Sequence, residues 1–283
     1  MGISKSIFTT NKIDVAFNTF GEVHYLLPFG DIHRDSPNCD VKLWLEYCKW
    51  GATKERATFI GMGDYFDAYS GSERAGLAAI KLHESSLQNM DDFFRQKVEG
   101  FAKEIAFMEG RLLGLMEGNH HYEFTDGTTS TQYLCQLMKC KYLACVTLCR
   151  MVFKYGKGKK NSAIDIFAYH GKGASRLIGG SLNTVQQMAE VWDANIYLMG
   201  HDHKKGAGMS SKFKWSDSPD SHIKEKKLFY ARTGSFLQGY VENKPSYVVD
   251  KLLNPTDLGT VKIELTPKCT TNGGLKVDIH GSI

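Results

Sequence analysis

The sequence predicts an α/β fold, and two observations carry that expectation. Short apolar runs of strand length alternate with stretches whose apolar residues recur every three or four positions, as in helices that bury one face. Five of the apolar runs finish in Asp, Asn or His, most of them opened by glycine, so their ends read as the border of a site. With 283 residues, 42% hydrophobic and 23% charged, the chain can bury a sizeable core. No linker rich in Pro, Gly or Ser and no internal repeat is evident. One domain over residues 1–283, with its motif-bearing core in residues 23–235, is therefore expected.

Residues 1–22 are mixed, with a short strand expected at residues 15–17. Residues 23–29 form the first clear strand and deliver Gly30-Asp31-Ile32-His33. Asp31 and His33 stand two apart, so extended backbone would point both the same way and make a chelating pair. Arg34, Asp35, Ser36 and Pro37 form a loop, and Asn38 or Asp40 can cap a helix over residues 41–50 that ends at Gly51. Residues 57–60 read as a buried strand running into Gly61-Met62-Gly63-Asp64-Tyr65-Phe66-Asp67. The glycines permit a tight turn and close approach to a ligand, with Asp64 at the strand's mouth. Residues 68–83, rich in Ala, Gly and Ser, read as an irregular or helical excursion near the site. Leu87, Met90, Phe94, Val98, Phe101, Ile105 and Met108 then trace one face of a long helix over residues 84–108.

Residues 111–117 form a strand ending in Gly118-Asn119-His120-His121, and a helix is expected over residues 128–138. Residues 151–155 and 164–169 read as a hairpin joined by Gly156-Lys157-Gly158-Lys159-Lys160. That turn lacks the strand–GxxxxGK–helix setting of a phosphate loop and reads as solvated. The second hairpin strand delivers His170-Gly171. Asn183 is expected to cap a helix whose apolar face is Val185, Met188, Ala189 and Trp192. Residues 195–199 form a strand ending in Gly200-His201-Asp202-His203, repeating the two-apart pair. Residues 204–227 carry seven lysines with Phe213 and Trp215, and read as a solvated loop because Asp217, Asp220 and Glu225 dilute the charge. The alternative is a surface that follows a nucleic-acid backbone and stacks its bases. Strands at residues 227–233 and 261–265 complete the pattern.

The formal net charge of +4 suits an anionic substrate without indicating nucleic acid by itself. Seven cysteines, an odd number with no CxxC pair, read as free thiols of a reducing compartment. Four of them lie between residues 135 and 149 at spacings that fit no common zinc knuckle. No apolar run reaches about 18 residues, so no membrane span is expected. The first residues lack the apolar stretch of a secretory signal, and Gly2 with Ser6 matches a myristoylation pattern only loosely. A cytoplasmic protein is expected.

Asp31 with His33, Asp64, Asn119 with His120, His170, and His201 with His203 form the constellation that carries chemistry. Strand ends gathered at one edge would bring them into one crevice, with Asp64 as a ligand shared by two metals. These residues resemble the calcineurin-like metallophosphoesterases. That signature runs Asp-x-His, Gly-Asp-x-x-Asp, Gly-Asn-His-Glu/Asp, a lone His, and Gly-His-x-His. Here it is met in order by Asp31 to His33, Gly63 to Asp67, Gly118 to His121, His170, and Gly200 to His203. The departure is His121, where the family usually has an acid, which leaves the partner of His120 open.

The resemblance implies a four-layer sandwich of two mixed β-sheets flanked by helices. It implies two divalent metal ions, drawn from Mn, Fe, Zn or Ni. Asp31, His33 and His203 would hold one ion and Asn119, His170 and His201 the other, with Asp64 bridging. His120 would act as general acid or stabiliser of phosphoryl oxygens, and Asp67 would orient a histidine. Arg34, Tyr65, His121 and Tyr122 are candidates to contact substrate. The implied activity is hydrolysis of a phosphomonoester or phosphodiester by a hydroxide that the two ions share. A DNA or RNA nuclease of the same chemistry is the alternative. A scaffold that has lost catalysis is disfavoured by the complete ligand set. Oligomeric state is not legible.

Overall fold

Two mixed β-sheets lie face to face. The computed structural model describes residues 8–69, 73, 76, 83–157, 160–173, 175–215, 223–244, 246–271 and 273–283. The first sheet has the order β1 (Thr9–Phe17), β5 (Val146–Tyr155), β6 (Asn161–Tyr169), β7 (Ile196–Met199), β9 (Ile223–Thr233), β8 (Lys205–Trp215). The second has the order β11 (Leu275–Ser282), β10 (Lys262–Cys269), β2 (His24–Phe29), β3 (Ala57–Gly61), β4 (Leu112–Leu115). In the second sheet β2, β3 and β4 run parallel; in the first, β6, β7 and β9 do.

The apolar runs are continuous because the central strands are buried on both faces. Successive side chains point to opposite faces, so neighbours join different cores. Leu26 and Ile60 pack with Leu113, Met151, Phe153, Ile166, Leu198 and Phe229 between the two sheets. Leu27 and Phe59 point the other way, against Trp44 of α1 (Val41–Ala52), Val98 and Phe101 of α2 (Glu84–Glu104) and Leu134 of α3 (Ser130–Leu137). On the far side of the first sheet, Val185 and Met188 of α4 (Ile178–Val191) cover Phe167, Tyr197, Leu228 and Tyr230. The result is helices, sheet, sheet, helix, the four-layer arrangement expected.

Local signals explain most boundaries. The Asp40 carboxylate accepts the Leu43 amide at 3.0 Å and caps α1. Thr129 and Gln132 cap α3 reciprocally. The hairpin is β5–β6, with Met151 opposite Ile164.

Several expectations are corrected. α4 starts at Ile178, so Asn183 lies inside the helix and caps nothing; Trp192 follows it, 47% exposed. The pair Gly179–Gly180 reads as a breaker, but packing of Val185 and Met188 on the sheet overrides propensity. The helix over residues 84–108 ends at Glu104 and gives way to a 3₁₀ turn at Ala106–Met108, while Ile105 and Met108 stay buried. The described parts of residues 204–227 are strand and not loop, with β8 and β9 pairing from Lys205 opposite Thr233 to Trp215 opposite Ile223; residues 216–222, with Asp217 and Asp220, lie outside the described residues. β1 begins six residues earlier than residue 15, and β11 is not among the expected strands. The segment bearing Gly2 and Ser6, most of residues 68–83, and residues 158–159 of the basic turn lie outside the described residues. No described helix is long and apolar enough to cross a membrane.

Candidate metal centre

Three parallel strands of one sheet and two of the other end on one rim of the sandwich. β2 ends at Phe29, just before Asp31 and His33. β3 ends at Gly61 before Asp64, and β4 at Leu115 before Asn119 and His120. β6 ends at Tyr169 before His170, and β7 at Met199 before His201 and His203. Ligand-type atoms of Asp31, His33 and His203 lie within 4.8 Å of one another, as do those of Asp64, His170 and His201. A third such group joins His33, Asp67 and His120.

Asp64 stands between the first two groups. Its Oδ2 is 3.3 Å from His170 Nε2 and 4.0 Å from His33 Nε2, while its Oδ1 accepts the His120 amide at 2.8 Å. Gly118 makes room for it, since a Cβ there would overlap the Asp64 carboxylate. Asn119 Oδ1 lies 2.9 Å from His170 Nε2 and 2.6 Å from His201 Nδ1. The Asp31 carboxylate accepts the His201 amide at 3.1 and 3.0 Å and lies 3.6 Å from His203 Nε2.

The chelating geometry does not come from extended backbone, as the two-apart spacing suggested. Asp31, His33, Asp64, His201 and His203 have φ of 47°, 47°, 48°, 71° and 58°. Left-handed backbone costs a non-glycine residue about 1–2 kcal/mol. Backbone hydrogen bonds over-determine it here: the amides of Ile32 and His33 both donate to Asp64 O, and Asp31 N donates to Gly63 O. Strands that stop at Phe29 and Met199 have no ladder left to keep their next residues extended.

The residues fit a pair of divalent cations. His170 Nδ1–H donates to Met62 O at 2.7 Å, which leaves Nε2 facing Asp64 and Asn119, free to act as a ligand once a cation displaces its proton. His33 Nδ1 lies 3.3 Å from Asp67 Oδ1, and its Nε2 is buried with no hydrogen-bond partner. A buried orphan nitrogen aimed at two carboxylates is what a ligand histidine presents.

The electrostatics agree. Burial pushes the Asp31 carboxyl up to about 7, with His170 pulling against it and Asp64 adding to the rise. Burial would also raise Asp64, but His170, His33 and His120 together bring it below the usual carboxylate range. Burial works against charge on His170, yet Asp64 and Asp31 lift it to about 9. His33 also rises despite burial, through its bond to Asp67 and the Asp64 charge. His203 falls to about 3 through burial and the neighbouring His33, and His201 falls through burial and His170. The carboxylates thus draw positive charge into the pocket. A divalent cation must displace those protons to bind.

Asp67 Oδ1 also lies 3.2 Å from His120 Nδ1, so one oxygen braces both His33 and His120. That supplies the partner of His120 left open by His121. His121 bends back instead, its Nδ1 3.0 Å from Gly118 O and 3.5 Å from Glu117 Oε1. Three substrate-contact candidates have other work. The Arg34 guanidinium forks onto Glu104 of α2 at 2.8–3.1 Å. Tyr65 is buried between Phe29 and Phe101, donating to Met116 O. Tyr122 stacks on Phe94 and donates to Asp91. An aromatic ring beside a motif glycine has an apolar body that the core claims first.

Sequence reasoning missed two supports. Arg232, fully buried, donates to Gly200 O at 2.8 Å and Ser181 O at 3.2 Å and lies 3.5 Å from Asp202, pinning the loop that carries His201 and His203. Ser235 Oγ donates to Asp31 O at 2.7 Å. A lone arginine in the apolar run of β9 was the available signal. The seven cysteines are free thiols, and among the described residues none joins a group placed to hold a metal.

No protein-family model matches the chain, and no curated protein does. Among solved structures the chain is similar to Vps29 of Chaetomium thermophilum, at 12% identity and a TM-score of 0.34, covering 91% of this chain and 96% of that one. It is also similar to the same protein complexed with a cyclic peptide, at 12% identity and a TM-score of 0.32, covering 92% and 96%. These superpositions are loose, and the two-sheet architecture stands on the strand order and the shared core.

Proposed function

We propose that the chain is a binuclear-metal-dependent hydrolase of phosphoester bonds. The observation that carries this reading is the convergence of donors from five strand ends about the Asp64 carboxylate. Asp31, His33 and His203 would hold one divalent ion and Asn119, His170 and His201 the other, with Asp64 reaching both. Two such ions supply a water acidified to near neutral pH and neutralise the charge of a phosphate group.

The chain's own groups do the rest. Asp64 is a carboxylate because two cations need an anion between them, whereas Asn119 need offer only a carbonyl oxygen. Met62 O and Asp67 fix the tautomers of His170 and His33, so each keeps a lone pair on Nε2. Asp67 holds His120 by Nδ1, leaving Nε2 of a partly exposed ring to protonate or stabilise the leaving oxygen.

The test is to strip the protein, reload it with Mn, Zn, Ni or Fe, and assay a generic monoester, a diester, a cyclic nucleotide and single-stranded DNA. Asp64→Asn and Asn119→Ala should lose metal-dependent hydrolysis. His120→Ala should keep its metal while activity falls about a hundredfold or more. Loss of metal in His120→Ala would break the division between ligand and acid. Wild-type protein that loads two ions and cleaves nothing in the panel would end the hydrolase reading.

A further inference from the structure

We propose that the β8–β9 hairpin is an arm that binds single-stranded nucleic acid and presents it to the metal centre. This names the substrate class and rests on the hydrolase reading for its second half only.

The arm begins at Lys205, two residues after His203, and its first strand runs for eleven residues. At about 3.3 Å per residue it spans about 35 Å. Near its root the strands belong to the sandwich: Gly206 pairs with buried Arg232 and Ala207 with buried Ala231. Beyond Leu228 the burial ends. Phe213 is 83% exposed, Trp215 70% and Ile223 65%.

The register sorts the two faces. Residues directly opposite share a face, and faces alternate along the strand. Trp215 opposite Ile223 and Phe213 opposite Glu225 lie on one face, the one that continues the inter-sheet side marked by Phe229. Lys214 opposite Lys224 and Lys212 opposite Lys226 lie on the other. Like charges set directly opposite in a sheet are destabilising, so this square of lysines costs the fold something. Lysines on an edge strand do guard against unwanted pairing, and β8 is an edge. β9 pairs with β7 only over Phe229–Arg232, so Lys224 and Lys226 also lie on an open edge. Edge protection does not explain large aromatic rings left in water on the opposite face. Lys226 is held by Asp193 at 2.7 Å, but Lys212, Lys214 and Lys227 have no acidic partner among the described residues.

Charge selects the occupant. Residues 204–227 hold seven lysines against three acids, which equals the chain's whole formal excess of +4. A second copy of the arm would bring lysine against lysine. An anionic bilayer is a flat surface and meets only one face of the arm, either the lysines or the aromatic rings. A flexible single strand that follows the open edge of β8 reaches both faces: phosphates for the lysines, and unstacked bases for Phe213 and Trp215. At the root, a groove of about 310 Å³ lined by Arg176, Leu177, Lys204, Lys205 and Pro255 adjoins the loop of His203. Lys204 and Lys205 face Asp202 and Asp257 there, so the root adds little net positive charge and Lys212 and Lys214 carry the attraction.

The test uses the full chain and a labelled twenty-nucleotide oligothymidine, read by fluorescence anisotropy in chelator from 50 to 200 mM salt. Binding should weaken with salt, with a log–log slope of about −0.7 per phosphate neutralised. Lys212→Glu with Lys214→Glu should flatten that slope. Phe213→Ala and Trp215→Ala should each weaken binding about fivefold or more, with Trp215→Phe restoring most of it. Affinity that is unchanged in the arm variants, or tighter for a duplex or for phosphatidylserine vesicles than for the oligonucleotide, overturns the proposal. Because chelator is present, binding does not depend on the hydrolase reading. With metal restored, the arm variants should lose oligonucleotide cleavage while keeping that of a small diester. Wild-type protein that cleaves the diester but not the bound oligonucleotide overturns the presenting role. If it cleaves neither, the hydrolase reading fails and the arm's binding stands.

Discussion

Asp67 offers the sharpest separation between a group that binds metal and one that positions its neighbours. Its Oδ1 lies 3.3 Å from His33 Nδ1 and 3.2 Å from His120 Nδ1. Its own backbone is fixed, because its amide donates to Asp35 Oδ1 at 2.6 Å and Lys97 holds Asp35 at 2.7 Å. Removing the carboxylate should therefore leave the loop in place and free two imidazoles. Partners of ligand histidines typically contribute 10–100-fold to affinity or activity, about 1.4–2.7 kcal/mol. Asp67→Ala should lower affinity for the ion at His33 by that factor, and lower kcat at saturating metal by a similar one through His120. Asp67→Asn keeps an acceptor oxygen without its charge, and neutral hydrogen bonds are roughly half as strong, so its losses should be about half as large in logarithm. His120 and His33 hold the Asp67 carboxyl well below the usual carboxylate range. It is therefore ionised where the protein works, and its bond helps to raise His33, so an acid limb set by proton competition with metal at His33 should move to lower pH in Asp67→Asn. Metal titration by mass spectrometry and kcat on a generic diester would measure both effects. An alanine variant with unchanged affinity and rate would refute the bracing role. One that cannot load an ion at all would make Asp67 a ligand.

Three further outcomes follow from the same geometry. Arg232→Met removes a buried cation from Asp202 and from the carbonyls of Gly200 and Ser181; about 3–5 kcal/mol of stability should go, read as a fall of about 6–20 °C in Tm, and an unchanged Tm would deny Arg232 its pinning role. Gly118→Ala drives a methyl group into the Asp64 carboxylate, so metal content should collapse while Gly100→Ala, facing open space on α2, leaves it intact; equal metal in both would refute the close approach. His24, buried edge-on to Phe17 and Phe153, has its pKa lowered first by burial and then by Arg56. The unfolded chain takes up that proton near pH 6.5 and the folded chain resists it, so the penalty is absent above about 6.5 and grows as pH falls below it. Urea unfolding of His24→Phe should accordingly show less acid destabilisation than wild type between pH 7.5 and 5.5, and parallel losses would assign the effect elsewhere.

What was legible in the sequence was whatever burial writes into a pattern. β2 and β3 are apolar on both faces because both faces are covered, and α2 repeats Phe94, Val98 and Phe101 because one face is. Their ends could be placed, so the polar residues that follow them could be gathered into one site. Elements that leave the core write no such pattern. The outer half of β8 reads Ser210-Ser211-Lys212-Phe213-Lys214-Trp215, and only its pairing with β9 marks it as a strand. β11 is the exception, an edge strand in which Leu275, Val277 and Ile279 alternate toward the core, a period-two signal that is legible. For Arg34, Tyr65 and Tyr122, proximity in sequence to a ligand says nothing about direction, and each has a partner in Glu104, Met116 O or Asp91.

Backbone direction is also what the spacing arguments could not supply. Five ligand-type residues hold left-handed φ, none of them glycine, and four of the seven proposed ligands are almost wholly buried: Asp31, His33, Asp64 and His170. Neither feature helps the chain fold. Glycine would relieve the strain and an apolar side chain the burial, so on stability alone these positions are poorly filled. They persist because neighbouring loops lock one another: Asp64 O receives two amides from the Asp31 loop, the Asp31 carboxylate receives the His201 amide, and Ser235 and Phe236 both donate to Asp31 O. The ligand loops are thus held partly by one another and partly by buried residues at the end of β9. Such mutual dependence yields a pocket whose donors are fixed before any cation arrives, which is the arrangement that preorganised metal chemistry requires.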